Sequence, residues 1–180
     1  QCHPNCDCGR FLEIANSVFM QYQKQTDGSL IELPQKNVDF GGGLERLTAA
    51  ANDNPDIFKI DLFWPVIERI ESISKKTYLE NKKPMRIIAD HIRSATMIIA
   101  DHVIPGKKKQ GAVLRRLINR AISEGHKLNM KENFIESVAL IVLEEYRNVY
   151  PNSFELKDEI LSFLMVEEKR FKHVIDIGSK

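Results

Sequence analysis

Apolar positions along the chain follow two rhythms. From Phe11 to Tyr22 they nearly alternate: Leu12, Ile14, Val18 and Met20 share one parity, with Glu13, Ser17 and Gln21 on the other. That is the period of an extended strand. Thr26-Asp27-Gly28-Ser29 is a turn signal and Ser29–Pro34 makes a second, shorter strand, so the pair predicts an antiparallel hairpin. Glycines 41–43 then run into Leu44-Glu45-Arg46-Leu47-Thr48-Ala49-Ala50-Ala51, a stretch of high helix propensity. Beyond the loop-forming Asn52-Asp53-Asn54-Pro55-Asp56 the spacing becomes helical. Ile57, Ile60, Phe63, Ile67, Ile70 and Ile73 form one stripe over residues 56–75, with a kink expected at Trp64-Pro65. Lys82-Lys83-Pro84 reads as a second break, and helices are expected over 85–101, 111–124, 131–149 and 154–177. The fold class is thus an α+β, antiparallel-sheet segment over 1–52 followed by an all-α domain over 56–180, mostly α overall.

The 180 residues carry a net charge of +1, so no global field argues for nucleic acid. The distribution of charge changes the picture. Residues 106–133 hold eight Lys/Arg against two Glu, while 144–168 hold seven acids against two bases. On a helical wheel at ~100° per residue, Arg115, Arg116, Asn119 and Arg120 fall within about 140° of one another, with Leu114, Leu117, Ile118, Ala121 and Ile122 opposite. Lys107, Lys108 and Lys109 sit in the loop at that helix's N-terminus. Taken alone, such a face is an ordinary solvated one. No apolar run reaches membrane-spanning length and no apolar leader is present, which fits a cytoplasmic protein with no membrane partner.

The glycine run has two readings. Without a Cβ the backbone can approach a ligand and adopt positive φ, and the helix behind it offers free N–H groups to an anion. Arg46, one turn in, adds a planar cation for a base or phosphate. The other reading is a structural turn before a surface helix.

The motifs around the run decide between them. A strand, glycines and a helix bearing Glu45-Arg46 resemble the third signature motif of class II aminoacyl-tRNA synthetases. Glu13-Ile14-x-Asn16-x-Val18-Phe19-Met20-Gln21, Asp27-Gly28, Leu33-Pro34 and Val38-Asp39-x-Gly41-x-Gly43-Leu44-Glu45-Arg46 are similar to the alanyl-tRNA synthetase family. So, in family order, are Arg86-Ile87-Ile88-Ala89-Asp90-His91-Ile92-Arg93-Ser94, Ile99-Ala100-Asp101, Gly111-x-Val113-Leu114-Arg115-Arg116 and Glu167-Glu168-x-x-Phe171. The resemblance implies that 1–52 is the C-terminal part of a class II catalytic domain and 56–180 a helical domain recognising the tRNA acceptor stem. The reaction implied joins alanine to the 3′ end of its tRNA with ATP and Mg2+.

Family roles pass to matching positions only. Asp39 matches the carboxylate that holds the substrate ammonium; Asn16, Val18 and Gly41 match residues around the alanine. Arg46 matches the arginine that packs on adenine, Gly43 belongs to the same ATP wall, and Glu13 is placed to hold ATP-bound Mg2+. Lys107, Lys108, Lys109, Arg115, Arg116 and Arg120 become the acceptor-stem platform, where guanidinium forks suit phosphates. Two departures stand out. Gly42 replaces a common methionine. Lys109 occupies the place of an asparagine that reads a G·U wobble pair, and an ammonium cannot offer the paired donor and acceptor of an amide. The resemblance therefore carries over acceptor-stem binding and leaves wobble reading open.

Cys2, Cys6 and Cys8, with His3, look like part of a tetrahedral structural zinc site; the other reading is free cysteines beside the active site. Nothing here resembles the first two class II motifs, so these 180 residues by themselves are expected to be inactive, the other synthetase domains being partners in the parent chain. The functional expectation is an alanine–tRNA ligase segment supplying the alanine/ATP wall and the acceptor-stem platform. A non-catalytic RNA-binding helical module is the alternative.

Overall fold

The computed structural model describes all residues except 1, 5, 7, 131, 132, 179 and 180, with side chains as far as Val174. It divides into two compact units, 1–60 and 61–180.

The first unit is built on an antiparallel hairpin, β1 (Ala15–Lys24) and β2 (Leu30–Gly42). Its turn lies where the sequence signals it. Gly28 takes φ 86°, and Asp27 Oδ1 accepts from the Ser29 N–H at 2.9 Å and the Ser29 hydroxyl at 2.7 Å. Those two bonds hold the Asp27 carboxyl below its ordinary pKa. The second strand is longer than the sequence suggests. Pairing runs Tyr22↔Glu32 near the turn and Met20↔Asn37 beyond it, so extra residues of β2 bulge opposite Gln21. Pro34, which has no N–H for a ladder, sits in that bulge and does not end the strand. Helix α1 (Leu44–Ala51) follows at once, and a 3-10 turn covers Ile57–Lys59.

The second unit is helical: α2 (Trp64–Ser74), α3 (Lys82–Ala100), α4 (Lys109–Lys127), α5 (Phe134–Tyr146), α6 (Pro151–Glu155) and α7 (Lys157–Gly178). The stripe over 56–75 is not one kinked helix. Pro65 stands in the first turn of α2, where its missing N–H costs nothing. Pro84 likewise falls within the first turn of α3, so Lys82-Lys83-Pro84 begins a helix instead of breaking one. The expected helix over 154–177 is divided at Leu156 into α6 and α7.

The core is the sum of the apolar stripes. Ile67 and Ile70 of α2, Met85, Ile88 and Ile92 of α3, Leu114 and Ile118 of α4, Ile135 and Val138 of α5, and Ile160 and Leu164 of α7 are all buried. Polar ties cross between the packed helices: Arg69 Nη2 donates to Ser137 Oγ at 2.7 Å and Arg93 Nη1 to the Tyr146 hydroxyl at 3.0 Å. Gly125 on α4 lies directly against the Phe134 ring, and a Cβ there would overlap it. Gly125→Ala should gain about 1 kcal/mol of helix propensity yet lose about 1–3 kcal/mol to overpacking. The urea midpoint is therefore expected to fall; an unchanged or higher midpoint would mean that Phe134 has room to turn aside.

Candidate functional site

Antiparallel pairing puts directly opposed residues on one face of a sheet. Asn16 stands opposite Gly41, and Val18 opposite Asp39. With period two along each strand, these four residues share a single face of the hairpin. Phe19, Val38 and Phe40 occupy the reverse face and are largely exposed.

Glu13 draws in the remaining groups. It lies just before β1, so strand parity does not orient it as the sequence reading supposed. Its Oε1 accepts from the Asn16 amide at 2.7 Å, while its backbone carbonyl accepts from Arg46 Nη1 at 2.8 Å. Gly43 N–H donates to the Ile14 carbonyl at 3.0 Å, bringing the start of α1 against the same segment. Arg46 is thus linked through Glu13 to Asn16, across the ladder from Gly41. Asn16, Val18, Asp39, Gly41 and Arg46 are all exposed within this unit.

The glycines act differently from the expectation. None of Gly41, Gly42 or Gly43 has positive φ; β2 continues through Gly42, and Gly43 is an extended N-cap at φ −77°. Their value is space. A Cβ on Gly42 would come to 2.9 Å from Leu47 Cδ1, whereas one on Gly41 would meet nothing within 4 Å. Gly41 leaves bare backbone on the face shared with Asp39, and Gly42 allows α1 to pack close.

At the N-terminus the three cysteine sulfurs converge. The separations are 3.4 Å for Cys2–Cys6, 3.2 Å for Cys2–Cys8 and 2.9 Å for Cys6–Cys8. Hydrogen bonding with the Cys8 side chain, then with the backbone of Cys8 and His3, lowers the Cys6 pKa to about 6. Bonds to Cys8 and Cys6 raise that of Cys2. Thiolates 2.3 Å from a tetrahedral zinc stand about 3.8 Å apart. Side-chain rotations opening the cluster by about 1 Å or less would reach that spacing, so the donor set fits the ion. Among the described residues this is the one group of three or more His, Cys, Asp and Glu side chains within metal-binding reach of one another.

In the helical unit, Lys107, Lys108 and Lys109 are exposed, with Lys109 at φ 49°. Gly106 N–H bonds back to the Gly111 carbonyl at 2.9 Å, and a Cβ on Gly111 would stand 2.6 Å from the Ile104 carbonyl oxygen. The loop is folded tightly onto the start of α4. Arg116 and Arg120 are exposed, but Arg115 is not part of that free face. Its Nε and Nη2 form a fork on Glu167 of α7 at 3.1 and 2.8 Å, and Nη2 also reaches the Pro105 carbonyl at 3.3 Å. Helix α4 runs one turn past the expected end, which adds Lys127 to the polar side. Arg170 of α7 was not singled out from the sequence; its Nη2 reaches Asn119 Oδ1 at 3.4 Å. A wheel of α7 shows only Arg170 three residues after Glu167, not the α4 neighbour that packing supplies.

No helix among the described residues is long and apolar enough to cross a membrane. A family model for class II (A) tRNA synthetases matches residues 1–180. The chain belongs to that family. It is 40% identical to the alanine–tRNA ligase of Endomicrobium trichonymphae over 99% of its own length and 42% identical to that of Desulfosudis oleivorans over 98%, in each case covering 20% of the relative. The alanine–tRNA ligase of Natranaerobius thermophilus is 37% identical, again with 20% of the relative covered. The resemblance read from the motifs is thereby borne out, and the chain spans about a fifth of the length of the curated relatives it matches.

Proposed function

We propose that this chain is the segment of an alanine–tRNA ligase that forms one wall of the alanine and ATP site and carries an acceptor-stem platform. The observation that carries the reading is the hairpin register, which gathers Asn16, Val18, Asp39 and Gly41 onto one face. Asp39 would take the substrate ammonium, the bare backbone at Gly41 would let the amino acid lie close, and Val18 would limit its side chain. Arg46, pinned to the Glu13 carbonyl, would stack on adenine. The Glu13 carboxylate, with one oxygen on Asn16, would offer the other to Mg2+, a hard cation that prefers oxygen ligands. Mg2+ would supply charge neutralisation on the triphosphate. The whole reaction belongs to a cytoplasmic protein that includes the other synthetase domains.

Alanine-dependent exchange of pyrophosphate into ATP by the full-length protein tests the ligase reading. Asp39→Asn should lower kcat/KM for alanine on the order of 10²-fold, the usual consequence of removing one partner of a desolvated charge pair. Wild-type protein with no such exchange would leave the non-catalytic RNA-binding module in its place.

The platform would comprise Lys107, Lys108, Lys109, Arg116 and Arg120, with Arg115 serving as a tie to α7. Titration of an acceptor-stem hairpin should give strongly salt-dependent binding. Arg116→Ala and Arg120→Ala should each weaken it several-fold and lower the salt slope by about one. Binding that ignores salt would end the platform.

We further propose that Cys2, Cys6 and Cys8 hold a structural zinc with a fourth ligand from outside the three, on the strength of their sulfur spacing. Metal analysis of the full-length protein should return one equivalent of zinc, lost in Cys6→Ser. Metal-free wild-type protein would leave them as free thiols.

A further inference from the structure

Glu167 lies on α7 at 5% exposure, a carboxylate taken almost wholly from water. Burial of that kind requires partners, and it has two. Arg115 approaches from α4 with a two-pronged bond, and Arg170, on Glu167's own helix, approaches with Nε at 2.7 Å and Nη2 at 2.7 Å. The two guanidiniums differ in where they stand. The Arg115 side chain is 23% exposed and reaches inward to Pro105; that of Arg170 is 40% exposed and reaches across to Asn119 on α4.

That placement puts Arg170 beside the polar side of α4. Arg116, Arg120 and Lys127 fall within about 40° of one another on that helix, a stripe about 17 Å long at 1.5 Å per residue, and Lys109, at φ 49°, stands at the helix's first position. All four are exposed. Lys127 is neutralised by Glu124 at 2.7 Å. Arg170 has five N–H donors in a fixed plane, and its contacts with Glu167 and Asn119 use those of Nε and Nη2. Among the described residues no bond engages its Nη1 group, which therefore keeps two donors and the delocalised charge. One carboxylate between two guanidiniums leaves the cluster with one net positive charge at the edge of the stripe.

We infer that Arg170 is a further phosphate contact of the acceptor-stem platform, and that Glu167 is the positioning residue that aims it. The inference rests on the platform reading given above. It adds a residue from a second helix, so the cationic surface becomes two-sided instead of a single stripe. A rigid fork set by Glu167 and Asn119 also loses little side-chain freedom when a phosphate arrives.

The test is a salt series of acceptor-hairpin titrations on the full-length protein, with Arg116→Ala as the reference. Arg170→Gln should weaken binding about 3- to 10-fold and lower the salt slope by about one, while Arg170→Lys restores the slope and part of the affinity. Glu167→Gln separates aim from charge. It removes a negative charge, so simple Coulomb attraction predicts tighter binding; loss of aim predicts weaker binding, which is the result expected. Thermal melts identify a Glu167 variant that fails to fold, in which case the Arg170 pair decides. If Arg116→Ala weakens binding and Arg170→Gln changes neither affinity nor slope, the inference is overturned and the platform stands. If Arg116→Ala and Arg170→Gln are both without effect, both readings fall. Tighter binding by a folded Glu167→Gln protein overturns the positioning role alone.

Discussion

One register in a two-stranded hairpin governs the candidate substrate face. Side chains alternate between the faces of a strand, so a slip by a single residue would send Asp39 or Asn16 to the other side. Two features hold β1 and β2 against such a slip. The turn at Asp27–Ser29 fixes one end by local hydrogen bonds. The bulge opposite Gln21 absorbs the extra residues of β2, so the pairing from Met20↔Asn37 to Ala15↔Gly42 runs without interruption. The glycines at 41–43 come at the end of this ladder, and Gly43 then bonds to Ile14. Strand pairing and helix placement are thus one constraint, and Arg46 inherits its position from it.

In the helical unit the corresponding part is played by two adjacent acids. Glu167 and Glu168 are both buried, yet they point to different helices. Glu167 accepts from Arg115 on α4. Glu168 faces the backbone N–H groups of Asn133 and Ile135 at the start of α5, with Lys172 Nζ at 2.9 Å. Burial raises the Glu168 pKa; the Lys172 ammonium and the two N–H groups oppose the rise without cancelling it. Successive helical residues are ~100° apart, so neighbouring carboxylates can serve two grooves at once. A helix N-terminus has unsatisfied donors; the N-cap of α5, Asn133, supplies no side-chain cap, and among the described residues the Glu168 oxygens complete no hydrogen bond, so the acid acts there through its charge.

Much of this was legible in the chain. Hydrophobic period separated strands from helices, and the Asp-Gly turn located the hairpin, because both signals are local. The departures have causes of both kinds, local and tertiary. Pro65 suggests a kink and Pro84 a break, but proline in a first turn surrenders a donor that has no partner anyway. Positive φ was expected at the glycine run because glycine permits it; what Gly42 supplies is clearance for Leu47, a tertiary fact. Arg115 looked identical to Arg116 on a wheel of α4. Only the arrival of Glu167, 52 residues later, separates them. The four-residue face of the hairpin follows from a register that the sequence signals at one end only.

The exposure of Asp39 bears on what its charge can accomplish. Opposite charges 4 Å apart attract by about 1 kcal/mol in bulk water and about 4 kcal/mol at an effective dielectric of about 20, the value that serves for covered protein sites. The difference of about 3 kcal/mol corresponds to roughly a 10²-fold change in affinity. On the hairpin as described, Asp39 faces water, and the weaker figure applies. An ammonium would be held firmly only where other groups exclude solvent from the face it shares with Val18 and Gly41. The register selects which side chains meet the substrate; the strength of the meeting is set by what covers them. The reverse face, with Phe19 at 77% and Phe40 at 64% exposure, has the apolar character that favours covering as well, so both sides of this ribbon call for cover, one to strengthen a charge pair and the other to bury apolar surface.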